Sequence, residues 1–277
     1  MKITDLQGST ELSNGTRMPY LGLGTFESKD GKEVFDAVSY ALEIGYRHID
    51  TAAMYGNEEG IGKAIKASGI LREKIFLTSK LWNGDQGYEK ALKAFDESLN
   101  RLQTDYLDLY LIHWPVPGKY KDSWKALEYL CRQGSAKSIG VSNFLQHHLE
   151  DLMLEAESMP TVNQVEFHPH LVQADLLDFC KKNSIQYEAW SPIMKGKVTE
   201  IGLFKELAKK YGKTPAQIVL RWDLQKGAVS IPKSVHKERI KENSEIFDFE
   251  LSKEDIKQID ALDKNERLGP DPDNFDF

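Results

Sequence analysis

Along most of its length the chain alternates between short apolar runs and longer stretches whose apolar residues recur every three or four positions. A run bounded by turn residues reads as a strand, and a recurrence near 3.6 residues reads as the buried face of a helix. These two signals predict strands at 20–26 (YLGLGTF), 47–50 (RHID), 74–80 (KIFLTSK), 107–113 (LDLYLIH), 136–142 (AKSIGVS), 161–167 (TVNQVEF), 184–190 (SIQYEAW) and 228–234 (AVSIPKS). Helical stripes fall between them. Val34, Ala37, Val38, Ala41 and Leu42 mark one, and a second covers 57–68. Leu92, Phe95, Leu99 and Leu102 mark the next, then Trp124, Leu127, Leu130 and Cys131. Leu145, Leu149, Leu152, Met153 and Ala156 follow, then 173–183, then Leu203, Leu207, Ala208 and Tyr211. Thr214-Pro215-Ala216-Gln217 reads as a capping box with proline at the first helical position. Two more helices are expected from Lys237 and from Ser252.

Strand and helix in eightfold alternation predict an α/β fold, a (β/α)8 TIM barrel. It is expected to be a single domain over 1–277, with short loops, an added C-terminal helix and a Pro/Asp-rich tail, LGPDPDNFDF. The rival is a doubly wound open sheet, which usually carries G-x-G-x-x-G after its first strand. Here Gly22-x-Gly24 has no third glycine in place, and the pair is assigned to backbone permissiveness in a loop.

In such a barrel the chemistry gathers at the C-terminal ends of the strands. Asp50, Lys80 and His113 each end a strand. Ser142 and Asn143 follow the fifth, and Gln164, Glu166 and His168 cluster at the sixth. Trp190 and Ser191 end the seventh, Lys233 and Ser234 the eighth. Taken singly, each has a plain alternative: His113 as a core histidine, Asp50–Lys80 as a structural ion pair, Tyr55 as a loop aromatic. Polar residues at nearly every strand end argue for a shared cup. A phenol beside an ammonium has its ionised form stabilised, so the Tyr55 pKa is expected to fall toward a useful range for proton transfer. No nucleophile motif accompanies this set: GVSNF is not G-x-S-x-G. A basic cluster, IPKSVHKERIKEN over 231–243, starts at a strand end and enters a helix. It reads either as a solvated charged face or as a phosphate site.

Composition narrows the setting. The chain has 277 residues, 40% hydrophobic and 29% charged, an ordinary globular balance. A net charge of −7 argues against a nucleic-acid partner. Two cysteines, Cys131 and Cys180, in no metal-like spacing read as reduced thiols of a cytoplasmic protein. No signal sequence and no apolar run long enough for a membrane span are seen.

The stretches DTAAMYGNEEGIG, LTSKLW, DLYLIHWP, GVSNF, NQVEFHP, EAWSP and IPKSVHKERIKEN, in this order, resemble the aldo-keto reductase family over essentially the whole chain. The likeness is greatest to its short-looped bacterial branches, the glyoxal/methylglyoxal reductases and the 2,5-diketogluconate reductases. The resemblance implies an enzyme that reduces small aldehydes and ketones with NADPH, monomeric and broad in substrate. It implies Asp50, Tyr55, Lys80 and His113 as the catalytic set, with Tyr55 as general acid. Ser142, Asn143 and Gln164 would hold the nicotinamide amide, Trp190 would stack on its ring, and Ser191 and Ile193 would approach the pyrophosphate. Lys233, Ser234 and Arg239 would hold the 2′-phosphate, and Asn243 with Glu242 the adenine. Phe26, Trp82, His113 and Trp114, with Phe275 of the tail, would wall the substrate. His236 stands where relatives carry Thr or Ser, and Trp190 where many carry Tyr. The brief loop SPIMKGKVTEIGLF implies a more open cofactor site with faster exchange.

Two other readings compete. His168-Pro169-His170, joined by Asp50 and His113, could serve a metal-dependent barrel hydrolase. A barrel of this family can also bind cofactor in a regulatory role without turnover.

Overall fold

The apolar runs assemble into one parallel sheet whose outer strands meet. The computed structural model describes residue 3 and residues 5–275, so the last two residues of the tail lie outside the described residues. The sheet holds β3 (Leu23–Gly24), β4 (His48–Asp50), β5 (Phe76–Leu81), β6 (Leu107–Ile112), β7 (Ala136–Ser142), β8 (Val162–Glu166), β9 (Gln186–Trp190) and β10 (Val229–Ser230), hydrogen-bonded in sequence order. Every neighbouring pair is parallel. Parallel bridges Leu21–Ser230 and Gly24–Lys233 join its two ends, so the sheet closes into the expected (β/α)8 barrel.

The helices follow the predicted stripes. They are α1 (Lys32–Glu43), α2 (Glu58–Ala67), α3 (Tyr88–Leu102), α4 (Tyr120–Arg132), α5 (Gln146–Met153), α6 (Ala174–Lys182), α7 (Gly202–Tyr211), α8 (Pro215–Lys226), α9 (Lys237–Ser244) and α10 (Lys253–Asp260). In α3 the buried residues are Ala91, Ala94, Phe95, Ser98 and Leu102, three and four apart, which is one face. The Thr214 hydroxyl accepts from Gln217 N at 3.3 Å and Gln217 Oε1 accepts from Thr214 N at 2.9 Å, so the capping box opens α8 as read. Ser252 caps α10 in the same manner, accepting from Asp255 N at 3.1 Å.

Three features depart from the sequence reading. A hairpin, β1 (Ser9–Glu11) with β2 (Arg17–Pro19), precedes the barrel. Its strands are three residues each and largely polar, too short to show an alternation. The eighth predicted strand ladders only over Val229–Ser230, because Pro232 supplies no N–H for a ladder. Gly22 and Gly24 do not serve loop flexibility. A Cβ on Gly22 would lie 2.7 Å from His48 Nδ1, and one on Gly24 2.7 Å from the Ile231 carbonyl oxygen. They are glycines because the barrel closes there by close backbone approach.

The barrel interior is divided. Leu12 and Met18 of the hairpin join Phe76, Leu109, Leu111, Val162 and Val229 in a small apolar cluster. On the same strands, two or four residues further on, stand Thr78, Lys80, His113 and Gln164. Alternation along a strand puts them on the same inner face. So the bottom is an oily plug and the top is polar. The larger apolar core lies between the barrel wall and the helices.

Gly62 in α2 shows how tightly that outer layer is set: a Cβ there would collide with the backbone carbonyl of Leu102. Gly62→Ala is expected to cost about 1–3 kcal/mol in urea unfolding. Gly202→Ala, where a Cβ meets nothing within 4 Å, is expected to be neutral or stabilising by up to about 1 kcal/mol. Equal midpoints for the two variants would contradict this account of the α2–α3 contact.

Candidate active site

The upper ends of β4, β5 and β6 bring Asp50, Lys80 and His113 to one cup, and a short 3-10 turn, Ala53–Tyr55, adds Tyr55. The sequence fixes that turn locally. Thr51 Oγ1 donates to Asn57 Oδ1 at 2.7 Å, and Asn57 Nδ2 donates to the carbonyls of Thr25 at 2.9 Å and Ser28 at 3.1 Å. Asn57 thereby ties the loop after β4 to the loop after β3. Glu58 accepts from Ser79 Oγ at 2.6 Å and from Arg101 Nε at 2.7 Å. The motif residues around Tyr55 are therefore structural anchors for it.

Lys80 is completely buried. Its ammonium donates to Asp50 Oδ1 at 2.7 Å and Oδ2 at 2.9 Å, and to the Thr51 carbonyl at 2.8 Å. It also lies 5.2 Å from the centre of the Tyr55 ring, close enough for its charge to act on the phenol. Asp50 and Tyr55 hold Lys80 in its charged form against the opposing effect of burial, and its pKa is raised. The expectation for Tyr55 is corrected in sign. Burial raises the phenol, Lys80 lowers it and Asp50 raises it again, with a net rise. Tyr55 is thus held as a protonated phenol, and the ammonium beside it is placed to stabilise the phenolate once the proton leaves.

The His113 ring lies 5.7 Å from Tyr55 and 5.3 Å from Trp82, centre to centre. Burial, then the Lys80 charge, drives its pKa well below 6.5, so the imidazole is neutral. Its Nδ1 is buried without a hydrogen-bond partner. A proton there would be stranded, so the arrangement favours a hydrogen on Nε2. Phe26 stands 5.0 Å from Tyr55, Trp114 stacks beside His113 at 6.5 Å, and Phe275 stacks on Trp114 at 4.5 Å.

The other candidate residues divide. Trp190 Nε1 donates to Asn143 Oδ1 at 2.9 Å, which fixes the indole plane. Asn143 Nδ2 donates to the His113 carbonyl at 3.0 Å and to Ser142 Oγ at 3.1 Å. Ser142 Oγ donates in turn to the Gln164 carbonyl at 2.9 Å. Both hydrogens of Gln164 Nε2 go to carboxylates, Asp50 and Glu188, each at 2.8 Å. Gln164 therefore has only its amide oxygen left to offer. Ser191 takes a positive φ of 53° where the chain turns out of β9, and Ile193 packs against the core. Lys233 donates to the Glu27 carbonyl at 3.2 Å, and Lys195 pairs with the Glu27 carboxylate at 3.8 Å. Ser234 Oγ accepts from His236 N at 3.1 Å. Arg239 and His236 are exposed on the start of α9, and Asn243 is buried on its last turn. The Glu242 carboxylate accepts from Thr214 Oγ1 at 2.7 Å, so it is turned to the protein.

The metal reading does not survive the geometry. His168 Nε2 bonds Glu166 Oε1 at 3.0 Å and does not enter the cup with Asp50 and His113. Among the described residues the group with metal-like spacing is His147, His148 and Asp273, on the rim. There His148 Nδ1 accepts from Leu145 N at 3.2 Å, so in a neutral ring Nε2 carries the hydrogen and donates toward Asp273 instead of ligating.

Sequence reasoning offered Phe275 of the tail as part of the substrate wall, and missed Glu188 and the contacts that hold the tail in place. Glu188, completely buried, lies under the cup. The tail crosses the rim: Leu268 N and Gly269 N donate to Glu166 Oε1 at 2.6 and 3.3 Å, and a Cβ on Gly269 would meet Trp190 at 2.5 Å. Glu188 stood in plain view in QYEAW, but a strand's alternation does not say which polar residue is sealed in.

The closed barrel thus carries at its upper rim a phenol, a buried ammonium beside it and a neutral imidazole, with the Trp190 indole held nearby, and the comparisons with known proteins give the class: an oxidoreductase of the carbonyl-reductase type. The family model described as "Aldo/keto reductase family" matches residues 20–264, and the chain belongs to that family. It is 56% identical over 274 residues to a glyoxal reductase of Bacillus subtilis, covering 99% of each chain. It is 48% identical to methylglyoxal reductase DkgA of Escherichia coli K12, covering 96% of this chain and 97% of that one. Among solved structures it matches an aldo-keto reductase of Bombyx mori in complex with NADP, with a TM-score of 0.90, 35% identity and 96% of each chain covered.

The neutral state of His113 is checkable. Its ring nitrogens are expected to keep neutral-imidazole NMR shifts from pH 8 down to about pH 5.5. An unfolded chain binds that proton near pH 6.5, so this residue makes the fold lose stability as pH falls below that value. An imidazolium signal from His113 at pH 6 would overturn the assignment.

Proposed function

We propose that this protein reduces small aldehydes and ketones to alcohols with NADPH, with glyoxal- and methylglyoxal-type dicarbonyls as the substrate class. The observation that carries it is the cup: Tyr55 as a protonated phenol, with the buried Lys80 ammonium 5.2 Å from its ring centre and the neutral His113 ring 5.7 Å away. Relatives at 56% and 48% identity are named as glyoxal and methylglyoxal reductases.

The residues present fit a nicotinamide dinucleotide phosphate. Gln164 offers an acceptor where an amide would need one, and Trp190 offers an indole face of fixed orientation. Lys233, Ser234 and Arg239 gather at the entry to α9, where backbone N–H groups and cations favour a phosphate. Asn243 stands about one helical turn beyond Arg239, for the adenine. When bound, the cofactor supplies hydride to the carbonyl carbon. The chain's own part is at the oxygen. His113 donates from Nε2 to the carbonyl oxygen and orients it. Tyr55 transfers its phenol proton to that oxygen as negative charge develops, and Lys80 stabilises the resulting phenolate. Asp50 holds Lys80 charged and in place. Phe26, Trp82, Trp114 and Phe275 line the approach to Tyr55 and His113, which suits small apolar-edged carbonyls better than charged sugars. The meeting of Lys195 and Lys233 at Glu27 is exposed, and an exposed pair of this kind is worth little, which supports rapid cofactor exchange. A cytoplasmic monomer is part of this reading. The two free cysteines accord with a reducing compartment.

Loss of NADPH absorbance with methylglyoxal tests the proposal. Wild type is expected to turn over, and Tyr55→Phe to lose about 10²–10⁴-fold in kcat while still binding NADPH. Undiminished turnover in the variant would remove Tyr55 from the mechanism, and NADPH binding without turnover on any aldehyde would favour a regulatory barrel. Arg239→Ala is expected to raise KM for NADPH about tenfold and to leave KM for NADH within about twofold, since the loss of one charged hydrogen bond falls on the 2′-phosphate alone.

A further inference from the structure

We infer that Glu188 is a positioning residue of the nicotinamide end of the site: its buried carboxylate, sharing the Gln164 amide nitrogen with Asp50, holds the Gln164 oxygen toward the cofactor and gives that end a charge that responds to pH. This rests on the reductase reading above.

The geometry leaves Gln164 little choice. Its Nε2 lies 2.8 Å from Asp50 Oδ2 and 2.8 Å from Glu188 Oε2. One hydrogen goes to each. A flipped amide would aim its oxygen at the Asp50 carboxylate and at Glu188 Oε2, and strand its nitrogen hydrogens on the other side. Asp50 alone could be served by one hydrogen and would leave the second buried. Glu188 completes the lock.

Glu188 itself is poorly compensated. It is completely buried, and its Oε1 has no hydrogen-bond partner. That oxygen lies 3.6 Å from His48 Nε2, and the nitrogen also faces Thr78 Oγ1 at 3.3 Å. The ionisable groups that face Glu188 are His48 and Asp50 on β4, with Lys80 on β5 and Tyr55 beyond it; β8 presents neutral Gln164, and β10 presents Val229 and Ser230. Burial and the Asp50 charge raise the Glu188 pKa to about 8, with Gln164 and Lys80 opposing. His48 is held neutral by burial and by Lys80, so its ring can accept a hydrogen from a protonated Glu188. Below about pH 8 the carboxyl is thus neutral, and above it a buried negative charge is added beneath the cup. An oxidised nicotinamide is a cation and a reduced one is neutral. Ionised Glu188 therefore favours NADP+ over NADPH, through space and through the Gln164 amide.

The test compares wild type, Glu188→Gln and Glu188→Ala. NADPH and NADP+ are titrated at pH 6.5 and pH 9 by quenching of tryptophan fluorescence, and melting curves confirm that each variant is folded. In wild type the ratio of NADP+ to NADPH affinity is expected to rise about threefold or more between the two pH values. In Glu188→Gln, which keeps an acceptor for Gln164 and cannot ionise, the ratio is expected to be flat. Glu188→Ala is expected to weaken both nucleotides about tenfold, since a buried amide hydrogen loses its partner, and Glu188→Gln to recover most of that loss. Infrared difference spectra without cofactor are expected to show a protonated carboxyl lost between pH 6.5 and 9 in wild type and not in Glu188→Gln. A ratio that keeps its pH dependence in Glu188→Gln, or a Glu188→Ala that binds as wild type, overturns the inference. Failure of the reductase reading looks different: wild type that binds both nucleotides but turns over no aldehyde sinks that reading while the affinity ratio still decides the role of Glu188, and wild type that binds neither nucleotide sinks both. Binding and turnover with a ratio that ignores pH sink only the role of Glu188.

Discussion

Lys80 governs the architecture of this site. An ammonium removed from water loses several kcal/mol of hydration, and it stays charged in a protein interior only where its hydrogens are met. Here Asp50 meets it with both oxygens, the Thr51 carbonyl with a third contact, and the Tyr55 phenol shares its field. Each of those groups must be delivered to within hydrogen-bond reach, so the registers of β4 and β5 and the turn carrying Tyr55 are bound to one another. The Asp50 charge then has to be shared further, which recruits Gln164 and, through it, Glu188. A chain of polar groups thus runs from Tyr55 down into the barrel. Buried networks of this kind are favourable only when nearly every member is satisfied.

The closed barrel makes that network affordable. Its lower half is sealed by Leu12, Met18 and their apolar neighbours, so no water reaches the ionic layer from below. The low dielectric above that plug strengthens the Lys80–Asp50 attraction, and it also depresses His113 and raises Glu188. One environment therefore produces a neutral imidazole, a protonated phenol and a carboxyl near its midpoint in mild alkali. A cleft of about 650 Å³ at Leu12, Gln186 and Arg221 contains none of these groups.

The rim is held by the chain's own end. The tail donates two backbone N–H groups to Glu166, presses Gly269 against Trp190, reaches His147 and His148 through Asp273, and lays Phe275 on Trp114. Glycine at 269 is a matter of clearance, since any Cβ would occupy the edge of the indole. Trp190 is thus clamped between Asn143 on one side and the tail on the other, and its orientation does not depend on a bound ligand to define it.

The barrel was legible because its two periods are strong. Buried parallel strands and amphipathic helices leave separate signatures, and Thr214 and Ser252 mark helix starts by hydrogen bonds that involve near neighbours only. The hairpin at Ser9–Pro19 left no such signature, being short and polar, and its role comes from what its Leu12 and Met18 cover. At the site, strand ends pointed to Asp50, Lys80 and His113 with Tyr55 just beyond the second strand, and to much of the cofactor set, while motif likeness added the role of each. What the sequence by itself determined was therefore the order of elements, the eight-strand alternation and which residue types stand at the strand ends, since these follow from local periodicity and capping. Only the tertiary structure decided that Gly22 and Gly24 allow the barrel to close, that Tyr55 stays a phenol, that Gln164 is locked between two carboxylates and that Glu188 is sealed beneath it. Those outcomes depend on burial and on partners from other strands, 24 residues away for Glu188 and Gln164 and 114 for Gln164 and Asp50, and no local pattern carries that information.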